Sequence, residues 1–173
     1  MVQTEDEIRG WFIGNLPDDW FTSEPDMRGD RDEILIIGTL PTPHVDEGSS
    51  DETKRAAALA RIDRFREETR GHRMRIAQEA ERRFDRKVSW GARCGDEQRL
   101  FTTLGVPVMT RLRLQEREVL DTLIDSGVAR SRSEALAWCV RLVNRHQSEW
   151  LQDLRQALSH VEEVRAKGPD AEP

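Results

Sequence analysis

The stretch that decides the fold begins Val106-Pro107-Val108-Met109-Thr110-Arg111-Leu112-Arg113-Leu114. It continues through Glu116–Ser126 and the turn Gly127-Val128-Ala129 to Ser131-Arg132-Ser133-Glu134-Ala135-Leu136. Residues 108–114 read as a short strand with one polar and one apolar face. Val119, Leu120, Leu123 and Ile124 recur at helical spacing, so a helix is predicted over 116–126. A second helix opens at a capping box: the Ser131 hydroxyl is expected to accept from the Glu134 amide, and the Glu134 carboxylate to reach back to the Ser131 amide. A lone edge strand leaves its backbone donors and acceptors unpaired, so this reading calls for a second copy of the chain.

Strand, helix, Gly turn, SRSEAL and an apolar second helix together resemble the ribbon-helix-helix DNA-binding family of the Arc-repressor type, over residues 106–146 only. The resemblance implies an obligate homodimer in which two antiparallel strands form one ribbon in the major groove of double-stranded DNA, while the second helices hold phosphates at their N-termini. A two-stranded ribbon fits a groove about 12 Å wide, and an Arg fork matches guanine O6 and N7. A helix N-terminus offers free amides and a partial positive charge to a phosphate. The base-reading face would be Met109, Arg111 and Arg113, with Val108, Leu112 and Leu114 on the apolar face and Thr110 among them. Ser131, Arg132 and Ser133, with Arg130 beside them, would grip the phosphates. The family often opens its first helix with Pro, where this chain has Leu114-Gln115-Glu116-Arg117. A one-residue slip would expose Thr110, Leu112 and Leu114 instead. The arginine register buries the leucines.

Charge divides the chain into three. The formal net charge is −6 over 173 residues, 35% of which are charged and 36% hydrophobic. Residues 1–53 carry 14 acids against 3 bases, residues 54–87 carry 12 bases against 6 acids, and residues 88–173 are nearly balanced. An acidic arm beside a basic helix implies internal pairing or masking, and a basic face is what a polyanion would meet. The plain alternative is a solvated helix whose surface pairs contribute little each. The segment 106–146 has 7 bases and 5 acids, a thin electrostatic footprint for DNA.

The predicted organisation is α+β: N-terminal strands, a basic helix and a β-hairpin, followed by the ribbon-helix-helix module and a C-terminal helix. Residues 1–53 form an acidic, aromatic segment with one or two strands and a linker. Asp32–Leu40, with Ile34-Leu35-Ile36-Ile37 at its centre, is the best strand signal, and its apolar run implies burial on both faces. Trp11, Phe12, Trp20 and Phe21 form an aromatic patch that would dock on something, a protein partner being one reading. Residues 54–105 hold a basic helix, expected from Lys54 to about Phe84 and kinked or split at Gly71-His72, and a hairpin over 87–104. In the hairpin Val88, Trp90, Ala92 and Cys94 share a face and Gly95-Asp96-Glu97-Gln98 turns. After the module, residues 147–173 keep an amphipathic pattern (Trp150, Leu151, Leu154, Leu158, Val161, Val164), either extending the second helix or docking as a third.

Several classes find no motif. Cys94 and Cys139 lie outside any CxxC pattern, and His44, His72, His146 and His160 lack ligand spacing, so neither a disulfide framework nor a metal site is expected. Carboxylate groups such as Asp18-Asp19 and Asp30/Asp32/Glu33 come without a nucleophile or base. No Gly-rich phosphate loop, nucleophile elbow or HExxH is present, so no catalytic residues and no cofactor are expected and the protein is read as non-enzymatic. No apolar run approaches the roughly 20 residues of a membrane span, and the acidic N-terminus is unlike a secretory signal, which implies a cytoplasmic protein. The resulting expectation is a dimeric, sequence-specific DNA-binding transcriptional regulator. The rivals are an adaptor that uses the same module only to dimerise, and an antitoxin-like repressor whose acidic arm masks a basic toxin surface.

Overall fold

The computed structural model describes residues 4–46 and 48–167. It is mixed α+β, with six helices and one four-stranded sheet. The chain divides into two units, one reaching Pro107 and the other starting at Val108.

In the first unit α1 (Glu5–Asn15) begins at Thr4, whose hydroxyl accepts from the Glu7 amide at 3.2 Å while the Glu7 carboxylate accepts from the Thr4 amide at 3.1 Å. This reciprocal cap starts a helix where strands and loop were expected. Ile8 and Phe12, one turn apart, turn inward with Leu16. Strands β1 (Asp26–Gly29) and β2 (Glu33–Thr39) follow as an antiparallel pair. Between them the Asp30 carboxylate accepts from the amides of Asp32 and Glu33, both at 2.9 Å, which holds it below the usual carboxylate range. The strand expected at 32–40 is therefore β2. Ile34, Ile36 and Ile37 are buried along it, whereas Leu35 is half-buried.

The basic helix is two helices, α2 (Asp51–Glu68) and α3 (Arg70–Phe84). The break falls at Thr69, not at Gly71-His72. There the Thr69 hydroxyl donates to the Phe65 carbonyl at 2.6 Å, and Arg73 donates to Thr69 Oγ1 at 2.9 Å and to the Arg66 carbonyl at 2.6 Å. Arg73 is buried, with its guanidinium 4.7 Å from the Phe101 ring centre. Burial, and then the charge of Arg66, push that guanidinium down to about 10, so it remains a cation at neutral pH. A buried cation is tolerated when its donors are used, and here they close the end of α2.

The hairpin is β3 (Lys87–Cys94) and β4 (Glu97–Leu100), joined by Gly95-Asp96 alone, with Cys94 opposite Glu97. Gly95 has φ +55°, the conformation that a two-residue turn asks of its first central position. The expected four-residue turn is thus two residues long, and the return strand begins earlier and ends at Leu100. The sheet order is β1-β2-β3-β4, with β2 and β3 parallel and the outer pairs antiparallel. Because β2 pairs with β3, residues 1–53 and 54–105 are one unit and not two segments.

Its core has two patches. Ile8, Phe12, Ile34, Ile36, Ile76, Phe84 and Trp90 belong to the first, and Leu40, Ala58, Ile62, Phe65, Ala92 and Cys94 make the second. Trp20, Phe21 and Phe101 pack against both. This corrects the aromatic docking patch. Phe12 is fully buried, and Trp11 meets the Phe12 and Phe84 rings edge-on at 4.9 and 5.5 Å. Trp20 meets Phe65 at 5.4 Å and His72 at 5.2 Å. Phe21 lies so close over Gly38 that a Cβ there would come within 2.0 Å of its ring. These four residues are half-buried or buried in the unit's own core, because covering aromatic area from water outweighs leaving it for a partner. Among the described residues no helix is long and apolar enough to cross a membrane. Phe12→Ala is expected to lower the unfolding free energy by about 3–5 kcal/mol, read as a reduced midpoint in urea.

Candidate nucleic-acid interface

The second unit holds α4 (Leu114–Asp125), α5 (Arg132–His146) and α6 (Ser148–Lys167). Its buried core is small: Leu120, Ala129 and Ala135, with Leu112, Leu123, Ile124, Leu136 and Cys139 packed around them.

α4 starts two residues earlier than expected. Arg113 is its N-cap, with φ −80° and ψ 175°, and the Glu116 carboxylate accepts from the Arg113 amide at 2.6 Å. Leu114 therefore belongs to the helix, where it is exposed, and is not the end of a strand's apolar face. Within the single chain residues 108–113 form no strand. Among the described residues, positions 105–112 make no backbone–backbone hydrogen bond. A side chain holds the end of this segment instead: the Arg117 guanidinium donates to the Leu112 carbonyl at 2.8 Å.

Leu112 faces the small core, while Arg111, Arg113 and Met109 are exposed, Met109 by 97%. Val108, expected beside Leu112 on the apolar face, is 84% exposed in the lone chain.

The turn between α4 and α5 depends on one glycine. Gly127 has φ +77°, its amide donates to the Ile124 carbonyl at 2.9 Å, and the Val128 amide donates to that of Leu123 at 3.0 Å. Two such bonds across a left-handed residue close the last turn of a helix. α5 then opens at Ser131, whose hydroxyl accepts from the Glu134 amide at 3.2 Å as expected. The return bond differs: the Glu134 carboxylate accepts from the Arg130 amide at 2.8 Å and not from that of Ser131. First-turn amides have no acceptor inside a helix, so those of Arg132 and Ser133 point out of α5.

Arg130, Ser131, Arg132 and Ser133 are brought together here, and all four are exposed. Arg132 is engaged elsewhere. Its guanidinium makes two 2.7 Å bonds to the Asp121 carboxylate on α4, a fork-to-carboxylate pair. That pairing holds Asp121 below the usual carboxylate range and Arg132 above its ordinary value. Arg132 thus fastens α5 to α4. Asp121 and Arg117 were missed in the sequence: nothing local marks a pair 11 residues apart, or a guanidinium that bonds a carbonyl preceding its own helix. No group of three or more His, Cys, Asp or Glu among the described residues could hold a metal ion. Cys94 and Cys139 are free thiols.

These features define a two-unit α+β protein, a mixed sheet unit followed by a helical one. Residues 6–100 match the family described as Rv1265-like protein, N-terminal domain, and residues 113–165 match the Mb1296 C-terminal domain. Two curated relatives are the proteins Rv1265 of Mycobacterium tuberculosis and Mb1296 of Mycobacterium bovis, both described as uncharacterized. Each is 56% identical to this chain over 160 residues, covering 92% of it and 69% of the relative. The chain belongs to the Rv1265-like family. No solved structure matches it.

The Asp121–Arg132 pair makes a pH prediction. A carboxyl whose folded pKa is lowered contributes stability above its unfolded pKa, about 4, and loses it as the pH falls through the folded value. Thermal unfolding followed by circular dichroism should separate wild type from Asp121→Asn at pH 7, and the difference should shrink towards pH 3.

Proposed function

We propose that the second unit is a ribbon-helix-helix-type module through which two copies of the chain dimerise and bind double-stranded DNA, making the protein a transcriptional regulator. The observation that carries this reading is the mismatch between the unit's buried core and its exposed apolar surface. Of the large hydrophobic residues exposed among the described ones, five precede Val108, seven lie between Val108 and Val143, and five more lie on α6. Three buried residues, two of them alanines, cannot offset the ordering of some sixty, so a second copy is required to cover the rest. A segment that, among the described residues, makes no backbone–backbone hydrogen bond directly before α4 supplies the edge on which that copy would pair.

In the dimer, Arg111 and Arg113 with Met109 lie on the open side of the ribbon, opposite Leu112, and read base edges. The Arg132 and Ser133 amides and the Ser131 and Ser133 hydroxyls meet phosphate at the start of α5. The rival reading, a module that only dimerises within an adaptor, draws on a specific observation as well: Arg132 is already satisfied by Asp121.

The test separates the two. Arg111→Ala with Arg113→Ala should reduce retention of selected genomic fragments by roughly 10–100-fold per arginine, with the dimer mass unchanged. Fragment retention that stays at the wild-type level, or no enrichment of any genomic fragment by the wild type at moderate salt, refutes the DNA reading and leaves dimerisation standing.

A further inference from the structure

α6 has an apolar face that the unit itself leaves open. It joins α5 at Gln147, where φ is −125° and ψ 28°. Helical hydrogen bonding nevertheless continues through the joint: the Gln147 amide donates to the Val143 carbonyl at 2.9 Å and the Leu151 amide to the Gln147 carbonyl at 3.0 Å. Beyond it Trp150, Leu154, Leu158, Val161 and Val164 are exposed, Leu158 by 62%.

Their spacing is regular. Gln147, Trp150, Leu154, Ala157, Val161 and Val164 follow steps of three and four, the seam of a left-handed coiled coil, with Leu151 and Leu158 along one flank and Asp153 and His160 along the other. Such a seam is covered by another helix of matching pattern, and a second α6 run antiparallel provides it. In that arrangement Trp150 faces Val161 of the other copy, Leu154 faces Ala157, and Gln147 faces Val164. Large residues then meet smaller ones in every layer. The flanks agree: Asp153 lies beside the other copy's His160, a carboxylate next to an imidazole donor, and Leu151 lies beside Leu158. A parallel pair would put Trp150 on Trp150, leave a hole between two Ala157 side chains, and set His160 beside Arg165. Within its own chain the His160 ring lies 3.9 Å from the Glu163 carboxylate.

We propose that α6 is a self-association site whose occupant is α6 of a second copy, antiparallel, about a twofold axis passing between residues 155 and 156. The site is independent of DNA binding and of the ribbon. With both contacts in place, each chain has two different self-complementary surfaces, which assemble copies beyond the dimer.

The experiment uses the full chain. Sedimentation equilibrium should show one association step of the wild type weakened by roughly a hundredfold in Leu154→Glu with Val161→Glu, since each glutamate would have to be buried in an apolar layer. An unchanged mass distribution overturns the proposal. Orientation is read separately by disulfide cross-linking in a Cys139→Ser background. A mixture of Asp153→Cys and His160→Cys proteins should cross-link, and neither alone should. Cross-linking of either single variant by itself, or none in the mixture, overturns the antiparallel pair. Arg111→Ala with Arg113→Ala should leave these results unaltered, so loss of DNA binding and loss of α6 pairing are told apart.

Discussion

The parallel ladder between β2 and β3 is the constraint from which the first unit follows. It joins residues 33–39 to residues 87–93, so everything between them, including both basic helices, must cross over and lie against the sheet. Ile34 and Ile36 sit beside Val88 and Trp90 in that ladder, and the side chains of α1 and α3 close over them. Farther along, Ala92 and Cys94 receive Ile62 and Phe65 of α2. Most arginines of α2 and α3 consequently end up on the outer surface because the inward stripe is committed, while Arg61 is half-buried and Arg73 is buried at the break. A parallel pairing of this kind is non-local and gains nothing until the crossover is closed, so the aromatic residues of the N-terminal segment reinforce it directly.

The second unit follows the opposite logic. Its helices are well started and well stopped, by Ser131, Gly127 and the Arg113–Glu116 bond, yet little apolar area is enclosed. Local hydrogen bonding can therefore specify the helices without providing a complete core. What remains open is organised: one edge before α4, and one seam along α6. In the proposed reading the base-reading residues lie on the first of these surfaces and the phosphate-holding ones at the start of α5, between the two in sequence.

Much of this was legible. The β2 run, the hairpin at Gly95, the split basic helix and the Ser131 cap all rest on short-range signals, namely apolar clustering, a turn glycine and a hydroxyl three residues before the amide that donates to it. α1 was legible too, in the Thr4-Glu5-Asp6-Glu7 cap, but the adjacent Trp11-Phe12 and Trp20-Phe21 pairs drew the reading towards a docking surface. The exact break at Thr69 was not visible, because it depends on Arg73 reaching back to a carbonyl seven residues earlier.

The sequence by itself determined the β2 run, the basic helical stretch, the hairpin at Gly95, and the Gly127 turn and Ser131 cap that separate α4 from α5. Only the tertiary structure decided that the aromatics are core, that residues 1–53 and 54–105 share one sheet, and that Arg132 is held by Asp121. The physical reason is range. Caps, turns and periodicity act over three or four residues and are written in adjacent letters. Which surface covers which is decided by the whole area removed from water, and that sum has no local signature.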